Sequence, residues 1–230
     1  MYFDPMYFVF ALPPMIFGLW AQWKVKSAFG KYANVANSTG YTGSQIARRL
    51  LDSQGLYSVA IEATPGDLTD HYDPRGKVVR LSESTMYRNS VAAIGVVAHE
   101  VGHAIQDAES YVPMRTRAAI LPVANIGSIL GPYIFMLGLF INMFGLALLG
   151  LLLFGAAALF QAVTLPVEYN ASNRAMRLLV DNGLVTSYDA GMARQVLDAA
   201  ALTYVAALLQ SVSQVLYYAM LLSGNRRRDD

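Results

Sequence analysis

The sequence contains no cysteine, which excludes disulfides and thiolate ligands and leaves any zinc to histidine and carboxylate. Histidine is itself scarce, at three among 230 residues. Charge is thin as well: 14% of residues are Asp, Glu, Lys or Arg, and the net charge is +1. That balance speaks for no nucleic acid and no other strongly charged partner. In one place charge is missing altogether, because no charged residue falls between Arg117 and Glu168. At about 1.5 Å per residue, those roughly fifty residues make about 75 Å of helix, against a hydrocarbon core of about 30 Å. Two membrane passes fit and one does not.

Two of the three histidines fall in His99-Glu100-Val101-Gly102-His103, an H-E-x-x-H pentad inside an apolar run that reads as helix. Residues four apart share a helix face, so both imidazoles can reach one metal ion. Glu100 lies one step around, where its carboxylate can take a proton from metal-activated water. The small apolar flanks, Ala92 to Val97 and Ala104-Ile105, suit a helix buried against a site.

Along the chain, residues 1–24 read as an uncleaved membrane anchor. Asp4 stands where a signal peptide would carry positive charge, Trp20 and Trp23 suit a headgroup layer, and Lys24, Lys26 and Lys31 follow. Residues 25–117 hold most of the charge and form a polar domain. In it, Ser44 is expected to cap a helix that ends at Gly55, and strands are expected near Tyr57 to Ala63 and Lys77 to Leu81. The second strand either offers a free edge to an extended peptide or belongs to a buried hairpin. Ser84 or Ser90 starts the pentad helix, which runs to about Ala108. His71, between Asp70 and Asp73, reads as a turn residue rather than a ligand or proton carrier.

Residues 118–165 read as a two-helix membrane hairpin bent near Asn142, with Gly127, Gly131 and Gly138 allowing close helix contact. A helix over 166–198 follows, broken at Gly183. Residues 199–230 form a C-terminal apolar helix with a basic tail, Arg226-Arg227-Arg228. If that last run crosses the membrane, its arginines lie outside, against the positive-inside tendency. Lys24, Lys26, Arg115 and Arg117 outweigh the tail, which places the polar domain in the cytoplasm.

Two histidines leave a hydrolytic zinc one protein ligand short. Glu109, Glu168, Asp181, Asp189 and Asp198 are the candidates. Glu168 stands out, because two crossings return it to the side of the pentad and Ala171 leaves room on the same helix face. As a carboxylate opening a helix it would also favour the helix dipole.

Together with the pentad and its continuation Ala104-Ile105-Gln106, three further segments carry a resemblance: Asp70-His71-Tyr72-Asp73-Pro74, Val167-Glu168-Tyr169-Asn170-Ala171-Ser172 and Ala199 to Ala206. They resemble the YugP-like bacterial family of membrane zinc metallopeptidases over most of the chain. The pattern is also similar to the wider gluzincin one, H-E-x-x-H followed by E-x-x-A-D, found in membrane peptidases of the HtpX type. The resemblance implies one Zn2+ held by His99, His103 and Glu168, Glu100 as general base, and a protein or peptide substrate met beside membrane lipid in a bacterial inner membrane. Ser172 stands where gluzincins have Asp, so the support for a ligating histidine is expected from elsewhere, Asn170 being one choice. Tyr204, Arg174 and His71 are candidate donors to the oxyanion.

The expected fold is therefore a mainly α integral membrane protein with a small zincin-like α+β polar domain, and the expected activity is that of a zinc endopeptidase working at or near the membrane surface. Two rivals stand beside it. One is an intramembrane zinc protease of the site-2 type, with Asp181 as third ligand. It needs the pentad inside a spanning helix, yet the apolar run Val91 to Ala98 is too short to span. The other is a membrane scaffold that holds zinc without catalysis.

Overall fold

The computed structural model describes residues 5–229, and side chains as far as Gly224. Asp4 and the side chains of Arg226, Arg227 and Arg228 lie outside the described residues. Among those described, the elements in order are α1 (Pro5–Tyr32), α2 (Gly43–Ser53), β1 (Ala60–Thr64), β2 (His71–Asp73), β3 (Val78–Ser82), α3 (Glu83–Met86), α4 (Val91–Ala108), α5 (Val112–Phe140), α6 (Phe144–Asp181) and α7 (Ser187–Asp229). The chain is a mainly α protein of membrane type. Four of its helices, α1, α5, α6 and α7, are long and apolar enough to cross a bilayer, and α4 is not among them. The chain divides into two compact units, residues 1–21, 113–166 and 203–230 in one and residues 22–112 and 167–202 in the other.

The first unit is helical. Its α5 and α6 pack through small residues: a Cβ on Gly127 would lie 2.0 Å from the Leu153 carbonyl oxygen, and one on Gly138 would lie 2.3 Å from the Ala147 nitrogen. Apolar helices in lipid gain little from hydrophobic burial against each other, so such close backbone approach is what holds them together. The bend between them falls at Asn142, as the sequence predicts. Asn142 takes a left-handed conformation, φ 52°, and the Met143 N–H closes back on the Gly138 carbonyl at 2.8 Å, a helix-ending motif that asparagine tolerates. Phe135 stacks on Tyr218 with ring centroids 4.2 Å apart, and the Ser213 hydroxyl donates to the Phe10 carbonyl at 2.6 Å.

The second unit has a three-stranded sheet in the order β1-β3-β2. β3 runs parallel to β1, with Ile61 opposite Val79, and antiparallel to β2, with Tyr72 opposite Val79. Of the two readings of the strand near 77–81, this rules out the free edge and leaves the buried one. β3 is the central strand, with Val78, Val79, Leu81 and Ser82 buried, and the edges belong to β1 and β2. Ile46, Ala47, Leu50 and Leu51 of α2 and Val97, Ala98 and Val101 of α4 are fully buried as well, where α2 packs on α4 and α4 on β3. α2 is capped by Thr42, not Ser44: Thr42 accepts from Gln45 N–H while the Gln45 side chain accepts from Thr42 N–H. That reciprocal pair satisfies two otherwise orphaned donors, which a lone serine inside the first turn cannot do.

Two expected breaks do not occur. α6 continues through Pro166, although a proline in a helix interior forfeits one hydrogen bond and costs about 3 kcal/mol. The stripe Val167, Ala171, Ala175 and Leu179, spaced by four and fully buried, offsets that cost. α7 likewise runs without interruption past Asp198. No Gly or Pro stands there to stop it, and the Asp198 carboxylate is paired one turn back with Arg194 at 2.8 Å.

Candidate metal centre

α4 begins where Ser90 accepts from the Ala93 N–H at 3.2 Å. It is buried on nearly all sides, including Glu100, Gly102, His103 and Gln106. Its close partner is the segment of α6 just after Pro166. A Cβ on Gly102 would lie 2.7 Å from the Ala171 carbonyl oxygen, so only glycine on one helix and a small residue on the other allow this approach. The approach brings Glu168 against the pentad. Glu168 Oε2 lies 3.1 Å from His99 Nε2 and 3.3 Å from His103 Nε2. One donor atom from each of the three residues falls within 4.8 Å of the others, and among the described residues this group can hold a metal ion.

The donor chemistry fits a divalent metal. The Gln106 side-chain amide donates through Nε2 to the Val167 carbonyl at 2.9 Å and to Asn170 Oδ1 at 2.9 Å. A carbonyl can only accept, so the amide orientation is fixed and its oxygen faces His103 Nδ1 at 2.9 Å. Nδ1 therefore carries the proton, and Nε2 turns a lone pair toward the Glu168 carboxylate. Two acceptors at that separation need a cation between them, either a second proton or a metal. Nitrogen and oxygen donors bonded to zinc at about 2.0–2.1 Å in a tetrahedron stand about 3.3 Å apart, close to the separations found here. Charge on the carboxylate and on the imidazoles is mutually stabilised. Burial alone would push the Glu168 carboxyl up, but hydrogen bonds from His103 and His99 outweigh it and hold the group well below the usual carboxylate range. Burial likewise works against charge on His103, and the Glu168 hydrogen bond and charge overcome it, raising that imidazole.

His99 finds its second partner in Ser172, whose Oγ lies 3.1 Å from Nδ1. The support expected from elsewhere thus comes from the serine itself. Its hydroxyl sits close enough because Ala171 lets α6 approach, and Asn170 serves one step further out, on Gln106. Sequence reasoning did not assign Gln106 this part, although its spacing of three from His103 places both on one helix face.

The other candidates lie apart from the cluster. Glu109 pairs with Arg174 at 2.7 Å. Asp189 accepts from the backbone and hydroxyl of Ser38. Asp181 lines a separate cleft of about 250 Å³ with Gln54, Ile105, Arg174, Arg177 and Leu178. It stands thirteen residues beyond Glu168 on one continuous helix, about 20 Å at the helical rise. His71 opens β2 opposite Arg80 rather than sitting in a turn; it is exposed, with Nδ1 2.8 Å from the Thr69 carbonyl oxygen. Arg174 is engaged by Glu109 and by Asn170; Tyr204 lies on α7.

Fold and site together define a helical membrane-type protein with a candidate three-donor metal centre. The chain belongs to the family described as "Putative neutral zinc metallopeptidase", whose family model matches residues 7–223. It is 46% identical over 222 residues to the "Putative membrane protease YugP" of Bacillus subtilis (strain 168), a match covering 96% of this chain and 99% of that protein. No solved structure matches the chain.

Proposed function

We propose that the protein is a membrane-anchored zinc endopeptidase that cleaves peptide bonds at or near the membrane surface, with His99, His103 and Glu168 holding one zinc ion and Glu100 as general base. The observation that carries this reading is the convergence of three metal-competent donors, two from α4 and one from α6, beside the buried carboxylate of Glu100 on α4. When bound, zinc supplies Lewis acidity toward a carbonyl and toward water.

The chain's own residues supply the remainder. Gln106 fixes the tautomer of His103, and Ser172 orients His99. Glu100 is held in a dry environment one residue from His99 and takes a proton on its carboxylate. It then delivers that proton to the departing amine, which would otherwise leave as an unstable anion. Substrate is a protein or peptide, and lipid surrounds the apolar helices. Cleavage near the surface is supported by the chain itself: Glu168 follows the last residue of the uncharged stretch in α6. Lys24, Lys26, Arg115 and Arg117 beside the apolar segments favour a cytoplasmic site in the bacterial inner membrane. α4 is not among the helices suited to cross a bilayer, which tells against the intramembrane alternative.

The test uses the purified full chain in detergent with an unstructured, casein-like substrate. Wild type is expected to cleave, a chelator to stop cleavage and added zinc to restore it. Glu100→Gln is expected to keep zinc and lose about 100-fold or more in rate. Full activity in that variant overturns Glu100 as the base, whereas inactive zinc-loaded wild type sinks the catalytic reading and leaves a zinc-holding scaffold. Glu168→Ala is expected to lose zinc and Asp181→Ala to keep it; the reverse result reassigns the third ligand.

A further inference from the structure

The segment Asp70-His71-Tyr72-Asp73-Pro74 contributes nothing to the donor cluster, yet four side chains or backbone groups in it are fixed. Asp70 accepts from Ser82 N–H at 2.8 Å, from the Ser82 hydroxyl at 2.9 Å and from the Thr85 hydroxyl at 3.2 Å. Asp73 accepts from the N–H groups of Arg75 and Gly76 at 2.9 and 3.2 Å and from Arg80 at 2.8 Å. The Arg80 bond, followed by those of the turn, holds its carboxyl down at about 2. These anchors pin β2 at both ends and so fix the position of Tyr72 between them.

Tyr72 meets α4 at two points. Its backbone N–H donates to Glu100 Oε2 at 2.9 Å, a buried contact. Its phenol donates to Asp107 Oδ2 at 2.7 Å, and the Lys77 ammonium donates to that same oxygen. Glu100 and Asp107 are seven residues apart, two turns along one face. Burial, reinforced by Asp107, pushes the phenol's pKa up, so the hydroxyl remains a donor through neutral and moderately alkaline pH. β2 is an edge strand, and its backbone donor at Tyr72 is spent on the carboxylate rather than on another strand.

We propose that Tyr72 is a positioning residue for the general base: its N–H holds Glu100 Oε2, leaving Oε1 for proton transfer, and Asp107 holds Tyr72 in register through the phenol. The proposal rests on Glu100 acting as base. A carboxylate free to change rotamer would spend part of its time out of reach of the proton it must take, and small misplacements of reacting groups are costly.

The experiment measures kcat, KM, bound zinc and melting temperature for the full chain in detergent, with the unstructured substrate. Tyr72→Phe and Asp107→Ala are each expected to lower kcat about tenfold or more with KM and zinc content unchanged. The double variant is expected to be no worse than either single one, since both cut the same tie. Asp107→Asn, whose amide oxygen still accepts from the phenol, is expected to recover most of the rate. Wild-type kcat in Tyr72→Phe overturns the proposal. So does a loss that follows zinc content or melting temperature, or additive losses in the double variant. Inactive zinc-loaded wild type rejects the catalytic reading itself and this proposal with it, a result distinct from active wild type with unaffected variants.

Discussion

At the scale of single residues, the site depends on which nitrogen of each histidine is free. Gln106 decides this for His103 because its own amide is oriented by the Val167 carbonyl and Asn170. Its removal leaves a buried Nδ1–H without an acceptor and the imidazole free to rotate. Gln106→Ala is therefore expected to weaken zinc binding about 10- to 100-fold, the usual cost of losing the partner of a ligating histidine, as read by competition with a calibrated chelator. An unchanged affinity would mean that packing alone orients His103. The cluster of His99, His103 and Glu168 with Glu100 beside it was legible in the sequence because helical spacing places the first two and Glu100 relative to one another, and because a two-helix hairpin returns the chain to the pentad. Their supporting partners were less legible. Ser172 looked like a departure because a hydroxyl carries no charge; whether it reaches Nδ1 depends on the separation of two helices, which no local pattern encodes.

At the scale of elements, boundaries set by local chemistry were readable and those set by packing were not. Ser90 begins α4, Gly55 and Gly183 follow helix ends with positive φ, and Asn142 turns the hairpin, each for reasons within a few residues. α4 ends at Ala108, where the sequence places its end, and Ser110 takes the same left-handed conformation just beyond it, φ 55°. Continuity of α6 through Pro166 depends on a buried face, and the order β1-β3-β2 depends on pairing between segments that local propensity cannot rank. The glycine contacts between α5 and α6 allow a direct check. Gly127→Ala and Gly138→Ala place a methyl group against backbone at 2.0 and 2.3 Å, which the helices accommodate only by separating. Each is expected to cost on the order of 2 kcal/mol, read as a lowered melting temperature in detergent. Gly155→Ala, where a Cβ meets nothing within 4 Å, is the control and is expected to melt with wild type or above it.

At the scale of the whole molecule, the absence of cysteine makes topology directly measurable, because any introduced thiol is the sole target of a maleimide. Four helices suit a bilayer, and positive residues border their ends unevenly: Lys24, Lys26 and Lys31 follow the apolar part of α1, and Arg115 and Arg117 open α5. Basic flanks are retained in the cytoplasm during insertion, so Lys26→Cys, Glu109→Cys and Arg115→Cys are expected to resist a membrane-impermeant maleimide in intact spheroplasts and to react once the membrane is opened. Met143, exposed beside the hairpin bend, faces the opposite way if α5 and α6 each cross once, so Met143→Cys is expected to react in intact spheroplasts. The inverse pattern across all four positions would place the pentad outside and show that the tail arginines, not the lysines after α1, set the orientation. Protection of Glu109→Cys even in opened membranes would bury the end of α4 in lipid and revive the intramembrane alternative. A cytoplasmic result would restrict the substrates of the proposed peptidase to segments that reach the inner face, and so would make the edge of the bilayer part of what selects them.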